Sequence, residues 1–322
     1  MAGKLQTYTT ASDGSNNRLV NENAEFYQRV MLERLQDGVF FMPYGAKKNI
    51  PQNAGAKTSW RRLEMPAKVT TALVEGTTPT GIDLTINNVN ATVAQYGAYT
   101  KITDLLDLVG LDPIITETSK LFGDHAAISM DAIVGNILIG GTNPVFANSK
   151  ASHALLAAGD VISTVDILKI RAAMVKNNVK KIKLPNGKMG YLAFTHPDTV
   201  TKIMSLTEWK DQNVYVDTTN REEGIVGQMY GIYFLEVGGA AMPVFTDGGS
   251  GSILPGKYTI VIGADAFGIP DIEGSSKPKI LVFGDGNTEN PLNLYKTVGW
   301  KTCFTAVILN DKNIIRYESL DI

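Results

Sequence analysis

Residues 112–141, DPIITETSKLFGDHAAISMDAIVGNILIGG, carry the longest periodic signal in the chain. Asp112 and Pro113 make a good N-cap and first-turn pair: the carboxylate can accept from an unpaired first-turn amide, and proline has no amide to leave unpaired. Ile114, Thr118, Leu121, His125, Ile128 and Ala132 then recur at alternating spacings of four and three. The pattern runs on through Ile133 and Ile137 until Gly140-Gly141 stops it. This spacing predicts a helix over 112–139, about 40 Å long, with that stripe as its seam. At well over twice the mean helix length, it reads as a spine rather than a cover for a sheet.

Upstream, residues 58–103 alternate in strand fashion, as where Leu84, Ile86 and Val89 stand near Asp83, Thr85 and Asn87. Two long strands are expected, roughly over 58–72 and 84–101, joined by the turn-rich EGTTPTG (75–81). Such a hairpin has little to pack against within itself and is marginal alone, so something outside it is expected to complete it. Further back, AEFYQRVMLERLQ (24–36) places Phe26, Val30, Met31 and Leu35 near helical spacing, and residues 1–25 form a polar arm too poor in apolar residues to build a core.

Downstream, Ser163 and Asp166 resemble a capping box opening a helix over 163–177, with Ile167, Ile170 and Met174 on one face. YLAFT (191–195) reads as a strand leading to a helix opened by His196-Pro197-Asp198. After Gln212 the reading is mostly strand: 230–237, 258–262, 280–283, 304–309 and 314–317, separated by glycine clusters. Helices grouped early and strands late define an α+β class.

Composition narrows the function. The 322 residues hold 30 Lys+Arg against 32 Asp+Glu, a net charge of −2, with 44% hydrophobic and 19% charged side chains. That balance argues against wholesale disorder and against a surface devoted to gripping nucleic acid or acidic lipid. The charge is uneven, because the first 70 residues carry ten basic and six acidic side chains and the rest is acidic. Cys303 stands alone, so neither an intrachain disulfide nor a thiolate zinc site is available, and only His125, His153 and His196 could supply imidazole. No apolar run reaches the ~18 residues of a membrane span, and the N-terminus lacks a signal-peptide core. A soluble chain of a reducing compartment is expected, with no membrane partner.

The candidate chemistry is thin. GSILPGK (251–257) has the spacing of a phosphate-binding loop, but Tyr258 stands where Ser or Thr must hold magnesium, and YTIVIG reads as a strand rather than a helix. DGNTEN (285–290) lacks the turn glycine and closing glutamate of a calcium loop. His125 falls on the helical seam, and His196 is expected to cap or pack on the helix it precedes. His153 has no acidic neighbour nearby in sequence. No G-x-S-x-G elbow is present, and Cys303 reads as a small core residue. No catalytic, cofactor-binding or metal-binding residue is nominated. The basic pairs Lys47-Lys48 and Arg61-Arg62, with Tyr44 and Trp60 nearby, could meet phosphates, although such patches more often pair with protein carboxylates.

The order of polar arm, unsupported hairpin, spine helix and strand-rich end resembles the major capsid proteins of tailed bacteriophages, whose fold is named after phage Hong Kong 97. IPQNAGAKTSWRRLEMP (50–66), EGTTP (75–79), QYGAYTKITD (95–104), HPD (196–198), GADAFG (263–268), NPL (290–292) and GWKTCFTAVILN (299–310) are similar, in order, to the subfamily of the coliphage N4 coat. The resemblance implies an N-terminal arm with a short helix (1–57), an extended loop (58–103) and a peripheral domain (104–194) containing the spine. An axial domain (about 195–255) and return strands (256–322) follow.

It further implies a coat subunit that self-assembles as hexamers and pentamers into an icosahedral virion shell around double-stranded DNA, assembled in the bacterial cytoplasm. Portal and decoration proteins are implied partners, and a weak, non-specific contact with the packaged DNA is expected. The short arm leaves no room for a fused scaffolding domain, so scaffolding is expected from a separate chain.

Trp60, Arg61, Arg62 and Glu64 on the first hairpin strand, with Glu75 and Thr78 near its tip, are the candidate inter-subunit contacts. Gly76, Pro79, Gly81 and Gly97 in the hairpin, and Gly140-Gly141 after the spine, are the candidate hinges for quasi-equivalent bending. Two alternatives stand beside this: a cellular nanocompartment shell on the same fold, and an α+β enzyme with a tucked-in 58–103 segment.

Overall fold

The computed structural model describes residues 26–35, 39–109, 113–157, 159–184, 187–214, 225–239, 241–245, 256–272, 276–283, 292 and 294–321. The polar arm 1–25, the cap residue Asp112, positions 251–255 of GSILPGK and all of DGNTEN lie outside them.

The chain opens with helix α1 (26–35) and strands β1 (Ala46–Ile50), β2 (Lys57–Leu63), β3 (Ile86–Thr92) and β4 (Ala94–Thr103). A short helix α2 (Asp104–Val109), the spine α3 (Ile114–Leu138), β5 (Pro144–Phe146) and α4 (Thr164–Lys176) follow. Next come β6 (Ile182–Lys183), β7 (Met189–Thr195), α5 (Pro197–Ser205), α6 (Thr207–Val214), β8 (Ile225–Met229), β9 (Ile232–Glu236) and β10 (Val244–Phe245). The chain closes with β11 (Gly256–Ile262), β12 (Phe267–Ile272), β13 (Lys279–Phe283), β14 (Tyr295–Phe304), β15 (Val307–Ile308) and β16 (Ile314–Ser319).

An eight-stranded sheet, with path β5-β16-β11-β7-β9-β8, divides the body into two cores. Its central strands are apolar on both faces. Leu192, Phe194, Tyr233, Leu235, Ile260 and Ile262 face the core that holds the spine, while Tyr191, Ala193, Ile232, Phe234 and Val261 face the core under α4, α5 and α6. The two-residue period puts successive side chains on opposite faces, so a strand covered on both reads as an unbroken apolar run. YLAFT is legible for this reason. A second sheet has β14 at its centre, paired along its length with β4 on one side and β13 on the other; β12 joins it through Asp271 and Phe304, and β1 runs parallel to β12. Within the segment expected as an arm, residues 39–50 are thus part of the body, with Phe41 buried against Phe194 at 4.4 Å between ring centroids.

The spine forms as expected, 25 residues long, but its buried face is not the expected stripe. Ser119, Gly123, Ala126, Ala127, Met130, Asp131, Val134, Gly135 and Leu138 face the core, whereas Leu121 is 65% exposed and Ile128 42% exposed. The helix is apolar on two sides, so periodicity finds the helix without choosing the side. Close approach makes the choice: a Cβ on Gly123 would lie 2.7 Å from the Met31 carbonyl of α1 and 2.9 Å from Arg34 Cβ. Gly123→Val is therefore expected to cost about 2–3 kcal/mol through overpacking and lost docking of α1. Urea unfolding reads this as a lower midpoint at unchanged slope, and an unchanged midpoint would mean α1 is not seated on the spine.

Elsewhere the capping signals behave as read. The Asp166 amide donates to Ser163 Oγ (3.3 Å), and Ile167, Ile170 and Met174 are buried. His196 caps α5 by accepting from the Asp198 amide (3.2 Å). Tyr230–Val237 is not one strand: Tyr230 and Gly231, both at positive φ, turn β8 back into β9. The expected strand at 304–309 begins where β14 ends, because Lys296, Thr297, Lys301 and Thr302 dilute the apolar signal of β14.

Candidate inter-subunit interface

The hairpin expected over 58–103 has a short paired base and a long unpaired extension. β2 and β3 pair in register from Lys57↔Thr92 to Leu63↔Ile86. The expected second strand divides at Val93: residues before it pair with β2, and residues after it enter the body sheet beside β14. The base is pinned to its own subunit. Trp60 lies over Gly268, where an added Cβ would fall 2.8 Å from the indole. Lys48 stands 5.5 Å from the Trp60 ring centroid and donates to the Ser59 carbonyl (2.5 Å). Arg62 donates to the Leu309 carbonyl (3.2 Å) and to Asn310 Oδ1 (3.1 Å), and pairs with Glu64 (3.2 Å), which also accepts from Asn87 (2.5 Å).

Trp60, Arg62 and Glu64 thus form one cluster at the hairpin root, while Arg61 points to solvent from the other face. The indole and Arg62 are engaged by their own chain, whereas Lys47 and Arg61 remain exposed.

Beyond Leu63 every residue through Ile86 is exposed. This extension is not polar. Met65 (90%), Leu73 (74%), Val69, Val74, Leu84, Leu63, Ile86 and Ile82 stand in solvent. Its internal order is limited to Glu64 N–Thr85 O (3.0 Å) and a turn closed by Thr77 N–Val74 O (3.2 Å), with Gly76 at φ +79°. Glu75 lies within that turn and Thr78 follows it, and Gly76, Pro79 and Gly81 have no packing that resists bending. Gly97 differs: it sits inside the β4–β14 ladder, where a Cβ would come 2.4 Å from the Trp300 carbonyl, so its role is close approach. Gly140 is exposed just past the spine, and Gly141 is buried near Asp311 and Ile314.

The body presents surfaces of matching character that sequence reading missed. One face of the β4–β14–β13 sheet forms an open groove of about 640 Å³, in which Tyr99 and Phe283 stand 70% and 63% exposed beside Lys101 and Lys301. Leu105, Leu106 and Leu108 on α2 and Leu121 and Ile128 on the spine add further exposed apolar area. Exposed apolar patches of this extent mark contact surfaces.

Among the described residues no group of three or more His, Cys, Asp and Glu side chains could hold a metal, and no helix is long and apolar enough to cross a membrane. Lys257 of the GSILPGK stretch lies buried in β11 and pairs with Asp198 (2.9 Å). That hydrogen bond holds the Asp198 carboxyl below its usual range, and burial, reinforced by the Lys257 charge, holds His196 down. Trp300 Nε1 donates to His125 Nδ1 (3.1 Å), and His153 meets the buried Glu318 at 2.5 Å, across 165 residues of chain.

A spine helix, two sheets and a projecting apolar hairpin define a coat-protein architecture. Residues 87–309 match the family of phage capsid proteins, and with more than half its length matched the chain belongs to that family. The fold, the Hong Kong 97 type, is shared with solved tailed-phage capsids. The capsid of Ralstonia phage GP4 aligns at TM-score 0.69 with 15% identity, over 89% of this chain and 92% of that one. The cyanophage Pam1 capsid aligns at 0.62 with 16% identity, over 87% and 92%. The head of Helicobacter pylori bacteriophage KHP40 aligns at 0.61 with 12% identity, over 89% and 91%. No curated protein matches the chain.

Proposed function

We propose that the chain is the major subunit of an icosahedral virion shell, arranged as hexamers and pentamers around packaged double-stranded DNA. The observation that carries this reading is the 64–85 extension, an apolar segment with no partner in its own subunit. Its root is fixed by Trp60 and Arg62, so it projects in a defined direction and can lie on the apolar surface of a neighbouring copy. Arg61, Glu75 and Thr78 then make rim contacts, and Gly76, Pro79, Gly81 and Gly140 allow the same contact at differing curvature. Many weak contacts per subunit, closed by symmetry, give cooperative assembly from exchangeable parts.

The ordered motifs between residues 50 and 310 support placement in the coliphage N4-like coat subfamily, which implies divisions near 57, 103, 194 and 255, with residues 39–50 and β4 packed into the body and β7 crossing the third boundary. Separate scaffolding, portal and decoration proteins are the partners of such a subunit, which assembles in the bacterial cytoplasm and acts by assembly rather than catalysis. Light-scattering mass and negative-stain microscopy of the purified protein test the reading. Hollow particles or rings of five or six subunits are expected. A monomer or dimer at every concentration, even after co-expression with the phage scaffolding protein, would overturn it.

A further inference from the structure

Residues 167–197 contain seven cationic side chains and no acidic one, within a chain of net charge −2. The fold holds six of them, all exposed, around the C-terminal end of α4 and the paired strands β6 and β7. Arg171 and Lys176 lie on the C-terminal half of α4, and the chain then reverses through Asn178 at positive φ. Lys180, Lys181 and Lys183 follow into β6, whose antiparallel pairing with Met189 and Gly190 brings Lys188 back alongside. Lys169, the seventh, is tied to Asp166 (3.5 Å) and to Ser149. Between helix end and hairpin lies a recess of about 250 Å³ lined by Arg171, Val175, Lys181, Tyr191, Tyr230 and Gly231.

Attraction to the negative end of the helix explains Lys176 alone, since that effect fades within one turn. Among the described residues no carboxylate pairs with Arg171, Lys176, Lys180, Lys181 or Lys183. The hydrogen bond from Ala264 N to Lys180 O (2.9 Å) brings one carboxylate, Asp265, to the edge. A protein partner fits poorly, because the buried centres of protein interfaces are depleted in lysine. Strongly hydrated ammonium groups on flexible stems suit a diffuse, repeating polyanion. The recess, with Arg171 and Lys181 at its rim, admits a phosphodiester group.

We infer that this surface is where the subunit contacts the phosphate backbone of double-stranded DNA, without regard to base sequence. The inference rests on the reading of the chain as the wall of a DNA-filled shell. It replaces Lys47-Lys48 and Arg61-Arg62 as the seat of that contact.

The test compares full-length wild type, the quadruple variant Lys176→Gln, Lys180→Gln, Lys181→Gln, Lys183→Gln, and the matching quadruple Lys→Arg variant. Binding of labelled duplexes of unrelated sequence is followed by anisotropy below the assembly concentration, and particle formation is scored separately by microscopy. Wild type is expected to bind all duplexes alike. Its log K should fall with log salt at a slope of about −3 to −4, which weakens binding roughly 100-fold between about 50 and 200 mM salt. The Gln variant should lose at least about tenfold in affinity at the lower salt and most of that slope, while still forming particles. The Arg variant should bind like wild type. Equal affinity and slope in the Gln variant would overturn the inference. Unchanged DNA binding with lost particles would also overturn it and assign the surface to an acidic protein partner. Failure of wild type to form particles under any condition counts against the shell reading alone, because duplex binding is measured independently.

Discussion

Replacing residues 65–84 by Asn-Gly is expected to leave a folded, soluble subunit that forms no particles. The excision is local. Glu64 N already donates to Thr85 O across the gap (3.0 Å), so a two-residue type I′ turn can close the β2–β3 ladder. Residues 65–84 are exposed throughout, and removing them opens no cavity. The thermal midpoint should therefore move by no more than a few degrees.

Assembly should respond very differently. Full burial of an aliphatic side chain is worth about 1.5–3 kcal/mol, and Met65, Val69, Leu73, Val74, Ile82 and Leu84 all stand in solvent in the lone subunit. Ordering costs consume much of that gain. If a contact worth only about 3 kcal/mol survives, its loss raises the concentration needed for assembly more than 100-fold. Sedimentation of wild type and deletion side by side measures this. Particles forming at the same concentration would show that the extension is not the assembling element.

The same extension shows what could be read from sequence and what could not. A long alternating stretch broken by EGTTPTG signals a hairpin with no internal support, and that reading needs only local composition. The anchoring of its root could not be seen, because the partners of Arg62 lie 247 and 248 residues away at Leu309 and Asn310. His153 likewise finds its carboxylate at Glu318. The spine was legible as a helix because a 3.6-residue period is a property of the segment. Its buried side was not, because the small residues Gly123, Ala126, Ala127 and Gly135 carry little apolar weight yet allow the closest packing. The larger Leu121 and Ile128 drew attention to the opposite face, which stays open in the single subunit and is available to a neighbour. For a chain built to assemble, apolar periodicity reports intended burial, including burial that only a partner completes.

Asp131 supplies the second large effect, a pH dependence built into the spine. Its carboxylate is fully buried and accepts from the amides of Phe40 (2.7 Å) and Phe41 (3.2 Å), fastening the segment that leads into β1. Burial pushes its pKa up to about 7 against an ordinary value of 3.8, and the two amides only partly offset that. In the unfolded chain the group ionises near pH 4, whereas in the folded subunit it holds its proton until about pH 7. The unfolded state therefore binds fewer protons between those values, and stability contributed by Asp131 is present below pH 4 and lost as pH rises to about 7. About three pKa units correspond to a change on the order of 4 kcal/mol across that window.

Asp131→Ala removes this dependence and strands the buried amide of Phe41, at about 1–3 kcal/mol, together with the partly buried amide of Phe40. It should therefore destabilise the subunit strongly at pH 5, where the wild-type carboxyl is neutral. At pH 8 the cost should be much smaller, because the wild type there bears a buried charge. Urea unfolding of the unassembled subunit at both pH values separates the two contributions. An equal loss at pH 5 and pH 8 would mean that Asp131 acts only as a hydrogen-bond acceptor and does not titrate in this window.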